Sequence, residues 1–338
     1  MDYFFWLFDK QCKQNGIQID WFFPNKAIHG DYSLFHIIPS GSITLEQKFI
    51  DHIKSQSVNY THIITHFLEL CTPFFYKVKQ VSKAKIIGVD HNPRPLEGYT
   101  FNKKINKKLK GLLFSRYIDS FIGVSEYTIK ELLKDFGKHL QPKTQVIYNG
   151  INILGIELRT TRSIVKPTFL TASHLRRSKG IQDLINAVAL LPEPIKKSIK
   201  IDIFGDGPYK LQLLSLVTAL NLENCFNFKG SSSQLNAIYC KYDYLIHPSH
   251  EETFCYSVIE ALVANVVPVT TEEGGNVLKI IENKKNGFLF KAKDIAQLSN
   301  LILQIWEGKY SIEINTRKSI ETRFSIDKMV DNYLNLLL

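Results

Sequence analysis

The sequence predicts an α/β protein made of two Rossmann-like domains in tandem, and three observations support this fold class. At 338 residues, the chain is longer than one hydrophobic core usually serves, so two domains of roughly 150 residues each are expected. In the rear half, short β-rich runs alternate with helical segments, as parallel strands require because each pair needs a crossover connection. The front half repeats this alternation less regularly.

Six strand-like runs occupy the rear half, each short and apolar. They span residues 167–173, 199–205, 224–230, 242–249, 266–271 and 286–291. Helices are predicted between them at 179–191, 207–220, 232–242 and 255–265. Only helical patterns follow the last strand, at 294–308 and 321–338. This order predicts a parallel, doubly wound sheet.

The front half opens with a predicted helix at 5–16 that ends on a glycine. Strands are predicted after it at 17–24, 61–67, 84–90, 120–125 and 144–150, and a helix at 126–137. Residues 151–167 carry no strong period and precede a new strand, so the domain boundary is predicted there.

The net charge of +10 is concentrated in the front half, where 20 Lys and Arg stand against 13 Asp and Glu. The densest basic segment is 101–116, FNKKINKKLKGLLFSR. Three interpretations stay open for it: a surface for anionic lipid, a site for an acidic acceptor, or a solvated helix face. Nucleic-acid binding is not expected, because no interleaved aromatic platform accompanies the charge.

The chain is expected to be cytoplasmic, since no apolar run reaches about 18 residues and the N-terminus lacks the basic region of a signal peptide. Peripheral attachment to the inner face of the plasma membrane through 101–116 is compatible with this. The five cysteines are scattered and odd in number. They predict reduced thiols, with neither a disulfide framework nor a zinc site.

The segment 247–262, HPSHEETFCYSVIEAL, places two carboxylates near the carboxyl end of a predicted strand. Glu252 lies in the turn after the strand, and Glu260 lies one turn into the next helix. The first N–H groups of that helix lack intrahelical partners and form an anion site, while Glu260 can accept hydrogen bonds from two adjacent hydroxyls, as on a ribose. The alternative is two solvated acids, with Glu260 stabilised by the positive helix end.

Three other turns follow strands of the same half. Lys179 and Gly180 open a helix, and a lysine there can meet a diphosphate as a point charge. FGDGP (204–208) and Gly274-Gly275 are glycine-rich, so a ligand can approach their backbone. A single such turn is commonly mere chain reversal. Four at the ends of strands of one sheet indicate one ligand site, expected in a cleft between the two sheets.

These motifs resemble the catalytic domain of the GT-B retaining glycosyltransferases of family 4. The matching residues are Lys179-Gly180, Gly205-Asp206-Gly207-Pro208, Ser249 to Glu252, Phe254, Glu260-Ala261, Pro268-Val269, Gly274-Gly275 and Asn286-Gly287. VIYNGIN (146–152) resembles the group's inter-domain signature, and IGVSEYT (122–128) its preceding strand end. The resemblance covers roughly residues 60–300 and is most specific over 170–290.

The resemblance implies a GT-B fold with an acceptor-side domain at 1–152, a nucleotide-sugar-binding domain at 153–312 and a C-terminal helix at 313–338 that returns to the first domain. It implies three catalytic residues, of which Lys179 contacts the donor diphosphate, Glu252 the transferred sugar, and His91 the sugar and acceptor. The alternative for His91 is a histidine that only caps a turn. The other implied donor contacts are Thr253, Phe254, Cys255, Ser257, Val258, Glu260, Gly207, Arg177 and His174.

The implied activity is transfer of a sugar, with retention of configuration, from a UDP- or GDP-sugar to a glycan or lipid-linked acceptor, as in cell-surface polysaccharide synthesis. Fixed amides and Lys179 stabilise the departing diphosphate in such a reaction. No D-x-D occurs in the chain, so neither a metal nor another cofactor is expected. The alternatives are a non-catalytic sugar-nucleotide-binding partner subunit and, less well matched, a GT-B epimerase or phosphorylase.

The sequence departs from the family pattern at several places. His174 stands where the family has an arginine, so Arg176 or Arg177 is expected to supply that contact. Thr253 and Cys255 replace the glycines that usually flank Phe254. Residues 276–287, NVLKIIENKKNG, have no glutamate at the family's usual place. The front domain begins without the family's first strand and Gly-rich loop, which predicts either an upstream start, the preferred interpretation, or a shortened chain.

Overall fold

The computed structural model describes residues 1–56, 58–160, 166–273, 275 and 280–338. It divides into two compact units. Unit 1 consists of Met1–Asn92, Tyr99–Gly150 and Ile326–Leu338, and unit 2 of Pro93–Gly98 and Ile151–Ser325. The C-terminal helical pattern is interrupted at Ser325, where the backbone becomes extended. Of the segment 313–338, the part up to Ser325 therefore belongs to unit 2 and the rest to unit 1.

Unit 1 contains a four-stranded parallel sheet in the order β3-β4-β5-β6 and a separate parallel pair, β1-β2. The strands are β1 (Trp21–Phe23), β2 (Ile37–Pro39), β3 (His62–Thr65), β4 (Lys85–Asp90), β5 (Ser120–Gly123) and β6 (Thr144–Val146). The α-helices of this unit are α1 (Asp2–Gln14), α2 (Leu45–Gln56), α3 (Pro73–Val81), α4 (Phe101–Phe114), α5 (Glu126–Phe136) and α13 (Ile326–Leu334). The short strand β2 was not predicted.

Unit 2 is a six-stranded parallel sheet in the order β12-β11-β10-β7-β8-β9. The strands are β7 (Phe169–Ala172), β8 (Ile201–Phe204), β9 (Phe226–Gly230), β10 (Tyr244–His247), β11 (Val267–Thr271) and β12 (Phe288–Phe290). The α-helices are α6 (Ile181–Ala189), α7 (Glu193–Lys196), α8 (Lys210–Ala219), α9 (Leu235–Ile238), α10 (Tyr256–Val263), α11 (Ile295–Trp306) and α12 (Arg317–Phe324).

The predicted fold class is confirmed, because both units are built on parallel sheets whose strands alternate with helices. Strands β7, β10 and β11 are buried at every position, as expected for parallel strands covered on both faces. The edge strand β9 alternates between buried or half-buried and exposed positions. Among the described residues, no helix has the length and hydrophobicity needed to cross a bilayer.

The helix predicted over 232–242 is shorter than expected. Only Leu235–Ile238 is α-helical, and Tyr239–Lys241 forms a tighter 3-10 turn before β10 begins. This turn places the Tyr239 ring wholly inside the unit, with 0% exposure.

The strand order of unit 2 reverses between β7 and β10. From β7 the chain first adds β8 and β9 on one side, and it then adds β10, β11 and β12 on the other. Such a reversal opens a crevice at the carboxyl ends of the two central strands, which is where open α/β sheets bind ligands. The turn after β7 carries Lys179 and the loop after β10 carries Glu252, so both fall at this topological switch point.

Candidate active site

The two turns at the switch point are packed directly on each other. Gly180 has a φ of +69°, and a Cβ built there meets the Pro248 carbonyl oxygen at 1.9 Å, so only glycine fits both the conformation and the space. The His250 amide donates to the Ser178 carbonyl at 2.8 Å. The side chains of His250 and Asp183 are also paired at 2.5 Å in a buried position. These contacts hold the Lys179 turn against the Glu252 loop.

Lys179 and Glu252, separated by 73 residues along the chain, form an ion pair with Nζ and Oε1 2.5 Å apart. Their side chains are 20% and 12% exposed. An ammonium group has three N–H donors, so Lys179 can bind Glu252 and still donate to another anion. The structure therefore brings together the two unit 2 residues that the sequence predicted to be catalytic.

His247, at the carboxyl end of β10, bonds the same carboxylate, with Nε2 3.1 Å from Glu252 Oε1. Burial alone would raise the pKa of Glu252, but the His247 hydrogen bond and the Lys179 charge outweigh burial and hold that pKa below its usual value. Glu252 is therefore an anion at neutral pH. The Thr270 hydroxyl donates to the His247 carbonyl at 3.0 Å and so fixes this strand end from β11.

Helix α10 begins beside Glu252. Its first three N–H groups, at 256–258, precede the first intrahelical bond, from the Ile259 amide to the Cys255 carbonyl. These donors and the positive end of the helix dipole favour an anion at this position. The Ser257 hydroxyl donates to the Ala172 carbonyl at 2.7 Å, so Ser257 joins α10 to the end of β7. Burial raises the pKa of the Cys255 thiol well above its usual value.

Glu260 lies one turn into α10, and its Oε2 accepts a 2.9 Å hydrogen bond from the Tyr239 hydroxyl. Burial raises the pKa of Glu260, and the Tyr239 hydrogen bond opposes that rise. Val258, on the same helix, is buried at 1% exposure, so only its backbone can serve a ligand.

The Gly-rich turn after β8 approaches the turn after β7. Gly205 has a φ of +127°, and a Cβ there meets the Ser173 carbonyl oxygen at 1.9 Å, while a Cβ on Gly207 meets the Leu175 oxygen at 2.4 Å. Both glycines therefore permit backbone contact between the two turns. His174 and Arg177 are exposed on the turn after β7.

Phe254 is buried and packs against Tyr256 and Phe324, with ring centroids 5.1 and 5.8 Å away. Its side chain thus anchors the loop, while its neighbour Thr253 is half-buried. The Gly275 amide donates to the Glu252 carbonyl at 2.9 Å, which ties the turn after β11 to the same loop. Gly274 and residues 276–279, also singled out from the sequence, lie outside the described residues.

His91 lies in unit 1, directly after β4, and its Nε2 is 2.9 Å from Nδ1 of His66. Burial lowers the pKa of His91 to about 4, despite the opposing charge of Asp90, and burial together with His91 lowers that of His66 well below its usual value. Both rings are therefore neutral at pH 7. Phe67 stacks on His91 with centroids 4.3 Å apart.

One group of metal-ligating side chains occurs among the described residues at this site. Ligand atoms of His247, Glu252 and Cys255 lie within 4.8 Å of one another. The Lys179 ammonium already neutralises Glu252, and the raised pKa of Cys255 keeps its sulfur protonated. Because a thiolate is the form that binds metals, the donor set suits an ion pair better than a cation.

Sequence reasoning missed His247, His250, Asp183 and Tyr239. His247 was part of the quoted segment 247–262, and a polar residue at the buried end of a central strand was the available signal. The other three residues act through contacts with residues at least 21 positions away in the chain, which no local pattern encodes.

Comparisons with known proteins show which family this chain resembles. Residues 162–323 match the family model of glycosyl transferases group 1. The N-acetyl-alpha-D-glucosaminyl L-malate synthase of Bacillus anthracis is 24% identical over 48% of this chain and 42% of the relative. The N-acetylgalactosamine-N,N'-diacetylbacillosaminyl-diphospho-undecaprenol 4-alpha-N-acetylgalactosaminyltransferase of Campylobacter jejuni is 28% identical over 56% of this chain and 51% of the relative. The chain thus aligns with about half the length of these relatives.

Solved structures share the fold over nearly the whole chain. Anabaena HepE in complex with UDP-glucose superposes with a TM-score of 0.78 and 19% identity, covering 99% of this chain and 95% of HepE. Sucrose-phosphate synthase from Thermosynechococcus elongatus gives a TM-score of 0.76 and 18% identity, with 98% and 91% covered. The chain has the GT-B fold, and its residues 162–323, which contain Lys179, Glu252 and Glu260, are similar to the glycosyl transferases group 1 family.

Proposed function

We propose that this protein transfers a sugar from a UDP- or GDP-sugar to a glycan or lipid-linked acceptor, with retention of configuration. The observation that carries the proposal is the Lys179–Glu252 pair at the switch point, beside the start of α10, the helix that also carries Glu260. The relatives support the donor class, since HepE binds UDP-glucose. The Campylobacter transferase, whose acceptor is a diphospho-undecaprenol, supports a lipid-linked acceptor.

The charges of the site suit cleavage of a sugar–diphosphate bond. Negative charge develops on the departing diphosphate, and the Lys179 ammonium and the α10 amides are preorganised donors for it. Positive charge develops on the sugar ring, and the Glu252 carboxylate, held ionised by His247 and Lys179, is the anion that stabilises it. No step in this scheme needs a metal, so activity is expected to survive chelation.

The test is release of free nucleotide from a panel of UDP- and GDP-sugars. Wild type is expected to release nucleotide from at least one donor, and Glu252→Ala to lose at least about 100-fold, the scale for removing one preorganised charge-stabilising group. Glu251→Ala, which removes the adjacent carboxylate, is the matched control and keeps its activity. EDTA leaves the rate unchanged, and NMR of the first-formed product reports the anomeric configuration.

Equal rates for Glu252→Ala and wild type would contradict the assignment of Glu252. Tight binding of a donor with no turnover under any condition favours the second candidate, a non-catalytic sugar-nucleotide-binding subunit.

Helix α4 carries the proposal that the protein works on a membrane surface. Five apolar side chains of this helix, all at least 43% exposed, are Phe101, Ile105, Leu109, Leu112 and Leu113. At 3.6 residues per turn, they form a stripe about 120° wide. Lys104 and Lys108 border one edge and Lys103 and Lys110 the other, as in helices that lie in an anionic lipid interface.

The packing of α4 explains why the stripe faces outward. The buried position is Gly111, where a Cβ would lie 2.0 Å from the Phe136 carbonyl oxygen. Lys107 also points toward the unit and pairs with Asp135 at 3.1 Å. Gly111, the stem of Lys107 and the half-buried Phe114 thus make the internal contact, which leaves the other large apolar side chains of the helix exposed.

Co-sedimentation with vesicles of phosphatidylcholine, with or without phosphatidylglycerol, tests this partner. Binding is expected to need the anionic lipid. It should weaken at least about tenfold in Lys104→Glu/Lys108→Glu, because each basic residue near such a surface contributes about 1 kcal/mol. Lys26→Glu/Lys241→Glu, at two exposed lysines outside α4, makes the same charge change and is the control. Binding that ignores anionic lipid would contradict the proposal.

A further inference from the structure

Tyr239 contacts Glu260 but takes no part in the proposed cleavage of the sugar–diphosphate bond. Its hydroxyl donates to Glu260 Oε2 at 2.9 Å, and its side chain has 0% exposure. The residue lies in the 3-10 turn Tyr239–Lys241, closed by a 3.0 Å bond from the Tyr242 amide to the Tyr239 carbonyl. Both ends of this tyrosine are therefore held in place.

A carboxylate offers two oxygens with about four acceptor positions. One hydrogen bond from a rigid, buried donor fixes the rotation of the Glu260 carboxylate, so its remaining acceptor positions have a defined direction. Two neighbouring hydroxyls on a five-membered ring need such a direction, because both must reach one carboxylate at once. An unrestrained glutamate side chain would lose rotamer freedom on binding, and Tyr239 removes part of that loss in advance.

We propose that Tyr239 is a positioning residue that orients Glu260 to accept hydrogen bonds from the 2′- and 3′-hydroxyls of the ribose of a nucleoside diphosphate. The inference rests on the proposed function, since it assumes that a sugar nucleotide binds at this site. It adds that selectivity for ribose over 2′-deoxyribose depends on a residue in the connection before β10, outside α10 itself.

The matched variants are Tyr239→Phe and Tyr242→Phe. Each removes one hydroxyl and keeps the ring, and the Tyr242 hydroxyl bonds Asp202 at 2.6 Å instead of Glu260. Isothermal titration calorimetry on the full chain measures the Kd of UDP and GDP, and then of the 2′-deoxy form of each nucleotide that binds. Melting temperatures of all three proteins report whether the fold is retained.

Wild type is expected to bind the ribonucleotide more tightly than the 2′-deoxynucleotide. In Tyr239→Phe, the Kd of the ribonucleotide rises about five- to tenfold, the scale of one ordinary hydrogen bond, and that of the deoxynucleotide rises less than about twofold. In Tyr242→Phe neither Kd changes. A merely structural role for Tyr239 would weaken both nucleotides equally.

If Tyr239→Phe weakens binding of both nucleotides equally, or of neither, the proposed role of Tyr239 is overturned. The proposed function then still stands, provided that wild type binds UDP or GDP. Failure of wild type to bind UDP and GDP overturns the proposed function, and this inference with it.

Discussion

The Lys179–Glu252 ion pair is expected to couple the two turns at the switch point by a free energy that can be measured. The perturbation is a double-mutant cycle of Lys179→Met, Glu252→Gln and the two together. Lys179→Met alone leaves the Glu252 carboxylate, only 12% exposed, with His247 as its remaining partner. Glu252→Gln alone leaves an ammonium that is 20% exposed and closer to water. The lysine change is therefore expected to cost more stability.

The magnitude follows from the geometry. Two unit charges 2.5 Å apart attract by about 7 kcal/mol at an effective dielectric constant of about 20. Desolvation of the two ions costs several kcal/mol and offsets most of this attraction, which leaves a coupling energy of about 2 kcal/mol. For a unit of this size, about 2 kcal/mol corresponds to a shift in melting temperature of about 4–8 °C.

The assay is calorimetric unfolding of the full chain at several pH values. Because the pKa of Glu252 is lower in the folded state than in the unfolded state, the pair stabilises the protein fully above the unfolded value of about 4.3. That contribution is lost as the pH falls through the folded pKa. The reasoning would be refuted if the stability losses of the two single variants summed to the loss of the double variant within about 0.5 kcal/mol at pH 7. A coupling energy that grows on acidification would refute it as well.

Two further predictions concern a glycine and the thiols. In chemical denaturation, Gly180→Ala is expected to lower the free energy of unfolding by at least about 2 kcal/mol more than Gly230→Ala. Both glycines have φ near +70°, but only a Cβ at Gly180 meets a backbone atom. Equal losses would mean that the turn around Gly180 can relax. With a thiol reagent at pH 8, half-buried Cys240 is expected to react before the other cysteines in the native protein, since those are buried and burial raises the pKa of Cys12 and Cys71 to about 12. Rapid modification of Cys255 would contradict its buried environment.

The strands of unit 2 could be predicted because buried parallel strands are short apolar runs, and each of the six lies inside its predicted segment. β2 was missed because it has three residues, Ile37–Pro39, too few to show a period. The outward face of α4 could not be predicted either. Periodicity normally assigns the apolar face to the core, whereas the contacts of Gly111 with Phe136 and of Lys107 with Asp135 show that this helix packs through a different face.

The site was predictable where chemistry coincides with local pattern, and unpredictable where it depends on long-range contacts. Lys179 and Glu252 each follow a recognisable strand end, and parallel strands bring such ends to one edge of the sheet. Nothing local indicates that Tyr239 meets Glu260 or that Asp183 meets His250. Tyrosine in a connection and histidine in a loop are common, and only their partners distinguish them.

The two glutamates of 247–262 show how neighbours set the charge of a buried acid. Both are mostly removed from water, and burial by itself would raise the pKa of each carboxyl. The net result differs, because the pKa of Glu252 is lowered and that of Glu260 is raised. Glu252 has a cation, Lys179, and a histidine against it, whereas Glu260 has the neutral hydroxyl of Tyr239. An acid required to oppose positive charge on a sugar needs the first environment, because its ionisation must survive burial. An acid that only accepts hydrogen bonds from hydroxyls needs direction more than charge, and a buried phenol supplies direction without adding a second charge to the site.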